Sequence, residues 1–354
     1  MIFTRQKIGF SVLLLATFIG SVASAQKFSF LQYGVEEGLA QSQVYAIRQD
    51  SVHQLWMATL GGLSRFDGRN FTNYSAEDGL MSNFTTSLLI DRNQRIWVGS
   101  QLGISYFDGS RFKNYHLNRK TVTSYVYGMV EAKDGIFAVY QGKLFKANYS
   151  ECHELKLPPL IEDSLTTIGK DDRGYLLIAT VRGDVYKYSS NTWQRIYKTA
   201  DHDEPNLISG IETGHSGVTW LLGYRQILRL SHDTISGISS KIPPGILRQL
   251  ISVYDDSQDN LWLGSSKGVY EIKKDGAIIY FNSANGFTDN SIFSVTEDVD
   301  GNVWFASNGS GILRFSNNNL NYWGVSNGLP DPVVLGITED RVKNIWFGTF
   351  GGGI

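Results

Sequence analysis

Beyond its first residues, the chain is a succession of short stretches that alternate apolar and polar positions, each ended by turn chemistry. In the first clear unit the stretches are Val44–Arg48, Leu55–Thr59, Leu63–Phe66 and Phe71–Tyr74, rich in β-branched and aromatic residues. Between them stand Asp50-Ser51-Val52-His53-Gln54, Gly61-Gly62 and Asp67-Gly68. These links are too short to hold helices, so the pattern predicts four antiparallel strands joined by tight turns. Only the N-terminus breaks it. Arg5 and Lys7 precede an apolar run from Ile8 to Ile19, and Ala23-Ser24-Ala25 supplies the small residues of a cleavage site, so residues 1–25 are expected to be a signal peptide cleaved after Ala25.

The four-strand unit repeats. Trp56, Trp97, Trp220, Trp262, Trp304 and Trp346 are separated by 41, 123, 42, 42 and 42 residues, and the long gap is three repeats wide, with Phe137 and Leu177 in the expected places. Six residues before each marker stands an acid or a turn residue: Asp50, Asp91, Asp171, Gly214, Asp256, Asp298 and Asp340. A small residue follows at two positions on, as in Ala58, Gly99 and Gly264, and Gly often stands at six positions on, as in Gly62, Gly103 and Gly268. Four-stranded units at this period are blades of a β-propeller; helical arrays of similar period would show 3.6-residue periodicity and fewer Gly. The small residues fit a strand crowded by neighbouring backbone, and the Trp fits packing between blades.

The expected fold is therefore all-β, a seven-bladed propeller of four-stranded antiparallel blades closed by an N-terminal strand. Phe30-Leu31-Gln32-Tyr33 resembles the last strand of a repeat, as in Phe71-Thr72-Asn73-Tyr74, but precedes the first repeat. It would serve as the outer strand of the final blade, whose other three strands lie between about Asn290 and Phe315, and so remove the open edges of the array. The expected division is residues 26–317 for the ring and 318–354 for the start of a second propeller, since Trp323-Gly324-Val325-Ser326-Asn327-Gly328-Leu329 echoes Tyr33-Gly34-Val35-Glu36-Glu37-Gly38-Leu39. A single eight-bladed ring is the competing count. The unfinished last repeat leads us to expect a fragment of a longer protein.

Composition narrows the function. The 354 residues include 32 basic and 34 acidic side chains, 37 Gly and a single Cys. Plentiful aromatics and sparse charge exclude disorder and coiled coil, the lone Cys152 excludes a disulfide scaffold, and a near-neutral balance argues against a nucleic-acid partner. No cofactor or metal is expected. Asp298-Val299-Asp300-Gly301-Asn302 resembles the start of a calcium loop but lacks the distal Glu, so it reads as a hairpin turn whose Asp accepts backbone N–H bonds. Thr213 to Trp220 resembles an Asp-box turn with His215 in the place of the Asp. The six His residues show no metalloprotease spacing, and there is no GxSxG elbow, so no catalytic residue is assigned. Cys152 reads as a passive thiol in a polar connection.

Repeats 1, 2, 6, 7 and 8 resemble two-component regulator propeller repeats, on segments such as Gly79-Leu80 through Ile96-Trp97-Val98-Gly99-Ser100 to Gly109, and Asp256 through Leu261-Trp262-Leu263-Gly264-Ser265 to Val269. Repeats 3, 4 and 5 are degenerate. The resemblance implies the exported, periplasmic or cell-surface sensor region of a receptor, with paired propellers leading to a membrane-anchored histidine kinase or other output module. Its expected partners are that second propeller and output module, a glycan or other small polar ligand, and a second copy in a homodimer. The competing readings are a carbohydrate-active propeller enzyme and an adhesion or scaffold propeller. Where the repeats become irregular, Trp193, Tyr224 and Arg225 are the candidate ligand-binding residues, because propeller ligand sites lie on loops and departures there cost the scaffold least.

Overall fold

The computed structural model describes residues 28–117, 124–199, 206–231, 233–238, 245–288, 290–316, 328–341 and 344–353, with the single positions 242 and 325. The signal-peptide expectation and most of the Trp323–Leu329 echo lie outside them.

Seven four-stranded antiparallel sheets form the ring. Blade 1 is Val44–Gln49, Leu55–Thr59, Gly62–Phe66 and Phe71–Tyr74, in that order from the centre outward. The innermost strands of blades 2 to 7 are Thr85–Ile90, Val126–Ala132, Leu165–Lys170, Ile208–Thr213, Leu250–Asp255 and Ile292–Glu297. Each packs against both neighbours, and that of blade 7 packs against that of blade 1. Blade 7 takes its outer strand from the N-terminus: Phe30–Tyr33 pairs antiparallel with Ile312–Ser316, Phe30 opposite Phe315 and Tyr33 opposite Ile312. A further hairpin, Val334–Glu339 with Ile345–Thr349, forms a separate two-stranded sheet.

The core is divided among the seven wedges between blades. Trp56 and Ala58 of blade 1 pack on Leu88 and Val98 of blade 2, Phe137 and Val139 of blade 3 on Ile168 and Ile178 of blade 4, and Trp304 and Ala306 of blade 7 on Ile47 and Met57 of blade 1. Phe137 and Leu177 hold the Trp place in their blades, packed as the Trp residues are. The small residue after the marker is a matter of room: a Cβ on Gly99 would lie 2.7 Å from Val126 of the next blade. Gly62 is required twice over, since its φ is +122° and a Cβ would meet the Tyr74 carbonyl oxygen at 2.3 Å.

The six-residue spacing from Asp to Trp has a direct cause. In blade 2, Asp91 accepts from Asn93 N and Arg95 N with one oxygen and from Trp97 Nε1 at 2.9 Å with the other, so one carboxylate shapes the turn and satisfies a buried indole. Asp50–Trp56, Asp256–Trp262, Asp298–Trp304 and Asp340–Trp346 repeat it at 2.7–3.0 Å. Asp298 is thus the turn residue expected, both oxygens occupied by Asp300, Asn302 and Trp304. In blade 4 the marker is Leu177, and Asp171 instead holds the ammonium of Lys187 at 2.6 Å. In blade 5 the carboxylate is missing at Gly214, and the buried Trp220 Nε1 has no partner among the described residues. An acid at position 214 would require the Asp255 side chain to move, because a Cβ there would fall 1.0 Å from Asp255 Oδ1.

Side chains at the ends of several innermost strands fasten their blade to the one before. Glu131 accepts from Arg92 N, Glu297 from Ser257 N, and Gln49 from Val299 N across the closure. Thr213 donates to the Lys170 carbonyl.

Candidate functional site

The innermost strand of every blade carries the same irregularity. Pairing with the second strand slips by one residue near its start, between Val44 and Ala46 in blade 1, Thr85 and Ser87 in blade 2, Val126 and Gly128 in blade 3, and likewise in the other four. A bulge leaves one residue outside the ladder and re-aims its side chain. Here that residue is Tyr45, Thr86, Tyr127, Thr166, Ser209, Ile251 and Phe293 in turn, and all but Thr166 line a central cavity of about 210 Å³. The positions are free of ladder constraints, which is where a repeat scaffold can vary chemistry without losing its fold.

The ring of bulged residues is strongly uneven. Tyr45 and Phe293, from the first and last blades, stack with centroids 4.6 Å apart and planes 4° apart. Tyr127 is 62% exposed. Burial, with Tyr125 nearby, holds the Tyr45 phenol above its usual pKa, so it stays a neutral hydroxyl. The hydroxyls of Thr86 and Ser209 donate to the Val126 and Leu222 carbonyls at 3.0 and 3.2 Å, so their protons are already committed.

Three residues along the same strands the cavity acquires charge. Arg48 of blade 1 reaches Glu212 of blade 5 at 3.2 Å and donates also to Ser294 Oγ of blade 7 and the Ile47 carbonyl. This pair joins blades that are not neighbours, and both side chains keep about a third of their surface accessible, 34% and 37%. Tyr254 beside it is half-buried, and this partial burial pushes its pKa up to about 12. The cavity therefore offers a stacked aromatic pair, an exposed tyrosine, and a solvated ion pair deeper in. Among the described residues no group of His, Cys, Asp and Glu is arranged to hold a metal ion.

The candidates from sequence fall elsewhere, and apart. Tyr224 and Arg225 form the tight connection between Thr219–Gly223 and Ile227–Ser231. Asn206 holds this loop by accepting from Arg225 N and Gln226 N, and Tyr224 is 46% exposed. The loop stands at the end of the ring where the bulges are. Trp193 begins the outer strand Thr192–Tyr197, after a hairpin whose Ser190 and Asn191 have φ of 51° and 61°. That hairpin lies at the other end of its blade, beside the turn at Asp171, and the Trp193 ring packs 5.0 Å from Tyr188 against the blade 3–4 core. The three residues do not converge. Cys152 is not in a connection but in the outer strand Cys152–Leu155, where burial pushes its thiol up to about 11. The signal that sequence reading missed is the residue two before each inner-strand aliphatic, such as Tyr45 before Ile47; it looks like ordinary strand alternation unless the bulge is known.

The model of the two component regulator propeller family matches three segments, residues 79–101, 286–309 and 328–351. Each contains a connection into a strand, that strand, its turn and the whole of the next strand. The fold is similar to the extracellular domain of a protein described as hybrid two component system BT3049 from B. thetaiotaomicron, at 18% identity and TM-score 0.66 over 92% of this chain and 53% of that one. It is similar also to the extracellular domain described as one component system BT4673 from the same organism, at 15% identity and TM-score 0.67 over 92% and 51%. Virginiamycin B lyase from Staphylococcus aureus is a third neighbour, at 14% identity and TM-score 0.66 over 82% of this chain and 99% of that one. At such identities the likeness shows the fold alone. The chain spans about half the length of the two extracellular domains. A comparison with curated proteins finds no match.

Proposed function

Because the chain carries two component regulator propeller repeats on a closed seven-bladed ring, we propose that it is the ligand-sensing, extracytoplasmic region of a two-component signal transduction receptor and does no chemistry of its own. The observation that carries this reading is the recurrence of that family's repeat, in phase, twice in the ring and once in the hairpin that follows it, the ring's fold being similar to extracellular domains of bacterial regulatory systems. A small polar ligand enters from the bulged end of the ring. Residues 1–25 direct export, and the output module is membrane-anchored and cytoplasmic on its far side. No helix among the described residues is long and apolar enough to cross a membrane.

The hairpin after blade 7 supports a continuation into a second propeller. It reproduces the Asp340–Trp346 bond of a blade at 3.0 Å. Yet Ile337 and Trp346 are 67% and 49% exposed, whereas the matching Ile47 and Trp56 are buried. Strands of a further blade would cover them. Ligand binding would then alter the geometry of the paired rings, which a homodimer relays, the population of two arrangements being shifted by differential affinity.

The test is an in-frame deletion of residues 34–316 from the full-length gene in its own bacterium, with genome-wide transcripts compared as nutrients are varied. The reading predicts loss of induction of a restricted gene set while the protein still accumulates. Unchanged induction, or turnover of a small substrate by the purified chain, would overturn it.

A further inference from the structure

We propose that the central cavity binds a small zwitterion carrying a planar apolar group, the chemistry of an aromatic amino acid. The proposal deepens the sensor reading and rests on it. Charge comes first. Arg48 and Glu212 satisfy one another at 3.2 Å, and each still has about a third of its surface open. A ligand with one charge would take one member and leave the other without its partner, forfeiting the attraction between them. A zwitterion exchanges both bonds at once, its carboxylate for the guanidinium and its ammonium for the carboxylate. Arg48 is suited to this, since a planar guanidinium can donate two parallel hydrogen bonds to a carboxylate.

The rim selects the rest of the ligand. The stacked pair of Tyr45 and Phe293 and the exposed ring of Tyr127 line the same cavity and offer apolar faces and edges. A sugar would ask instead for many hydrogen bonds; the hydroxyl protons of Thr86 and Ser209 are already given to backbone carbonyls, which leaves Ser87 Oγ, without a partner among the described residues, and the ion pair itself to serve one. The volume, about 210 Å³, suits one small molecule and is below the ~300–1,000 Å³ of drug-sized sites.

The experiment is calorimetric titration of the purified chain with L-phenylalanine, L-tyrosine and L-tryptophan. The comparison ligands are phenethylamine, which lacks the carboxylate, 3-phenylpropionate, which lacks the ammonium, and glucose and glucuronate. At least one of the three amino acids should bind, with affinity at least tenfold above both truncated analogues. Tyr127→Ala, at an exposed position that leaves the fold intact, should weaken binding about tenfold, and Arg48→Met with Glu212→Gln should abolish it. If that double variant fails to fold, the analogue series and Tyr127→Ala decide the matter. Binding of glucose or glucuronate but no amino acid would overturn the zwitterion and leave the sensor reading standing. No binding of any amino acid to the folded chain would overturn it as well. Failure of the sensor reading shows separately, in transcripts that ignore deletion of the ring.

Discussion

Closure of the ring by Phe30–Tyr33 can be tested through two side chains that face opposite ways. Phe30 packs into the wedge between blades 6 and 7, with ring centroids 4.8 Å from Phe287, 5.2 Å from Phe315 and 5.7 Å from Phe281. Tyr33 packs into the wedge between blades 7 and 1, stacked 5.7 Å from Trp304 and 5.1 Å from Phe66. Full truncation of a buried Phe costs about 3–5 kcal/mol. Both residues are only half-buried, so Phe30→Ala and Tyr33→Ala should each cost about 2–3 kcal/mol. Leu31, on the same strand, is 48% exposed, and Leu31→Ala should stay within about 0.5 kcal/mol. Deleting residues 26–33 removes both anchors and the strand's hydrogen bonds, comparable with the ~5–15 kcal/mol that holds a typical domain together. Urea denaturation followed by tryptophan fluorescence measures all four. A strand that closes the ring makes the deletion variant unfold at much lower urea or over a broadened transition. Equal midpoints for the deletion variant, Phe30→Ala and the parent would refute closure and leave blade 7 complete without its fourth strand.

Further predictions concern the repeat's internal chemistry. Asp91→Ala strips partners from Trp97 Nε1, Asn93 N, Arg95 N and the Tyr149 hydroxyl, and should cost about 2–4 kcal/mol in the same denaturation assay; a loss under 1 kcal/mol would show that the carboxylate is dispensable. Glu271, buried opposite Trp262 and near Asp256, has its pKa pushed up to about 7, by burial first. Its protonated form is favoured in the fold, so its contribution is present below about pH 4.5 and is lost as pH rises through about 7. Glu271→Gln should therefore stabilise at pH 8 by at most about 3 kcal/mol, less whatever solvent screens, and leave stability at pH 4 nearly unchanged; an equal effect at both pH values would contradict this. Cys152, its thiol raised to about 11, should react with a disulfide reagent at pH 8 far more slowly in the native chain than in urea, and equal rates would place it at the surface.

Much of this architecture is written in residue spacing, because a propeller repeats one solution to one packing problem. The interval from Asp50 to Trp56 is visible without a structure; that the carboxylate receives the indole is not, since spacing does not say which atoms meet. The degenerate repeats show the limit more clearly. Blade 4 keeps Asp171 but replaces the indole with Lys187 from the adjacent strand, a swap that alignment by tryptophan does not see. Ser189 to Trp193 reads as an irregularity of the repeat, yet the left-handed Ser190 and Asn191 make it a tight hairpin of blade 4, at the opposite end of the ring from Tyr224 of blade 5. The cavity was hidden for a related reason. Every blade carries the same extra residue, so the spacing from repeat to repeat does not betray the bulge, and Tyr45, Tyr127 and Phe293 look like members of ordinary strands.

If the ring is the sensor region proposed above, its central cavity governs the receptor's output. Ser209 occupies a bulged position at which other blades carry Tyr45, Tyr127 and Phe293, so Ser209→Phe fills much of the cavity with a side chain of a size the ring already accommodates. In the full-length protein in its own bacterium, this variant should accumulate and fold normally while ligand-dependent induction of its target genes is lost. Induction of parental size from a channel filled in this way would contradict the account.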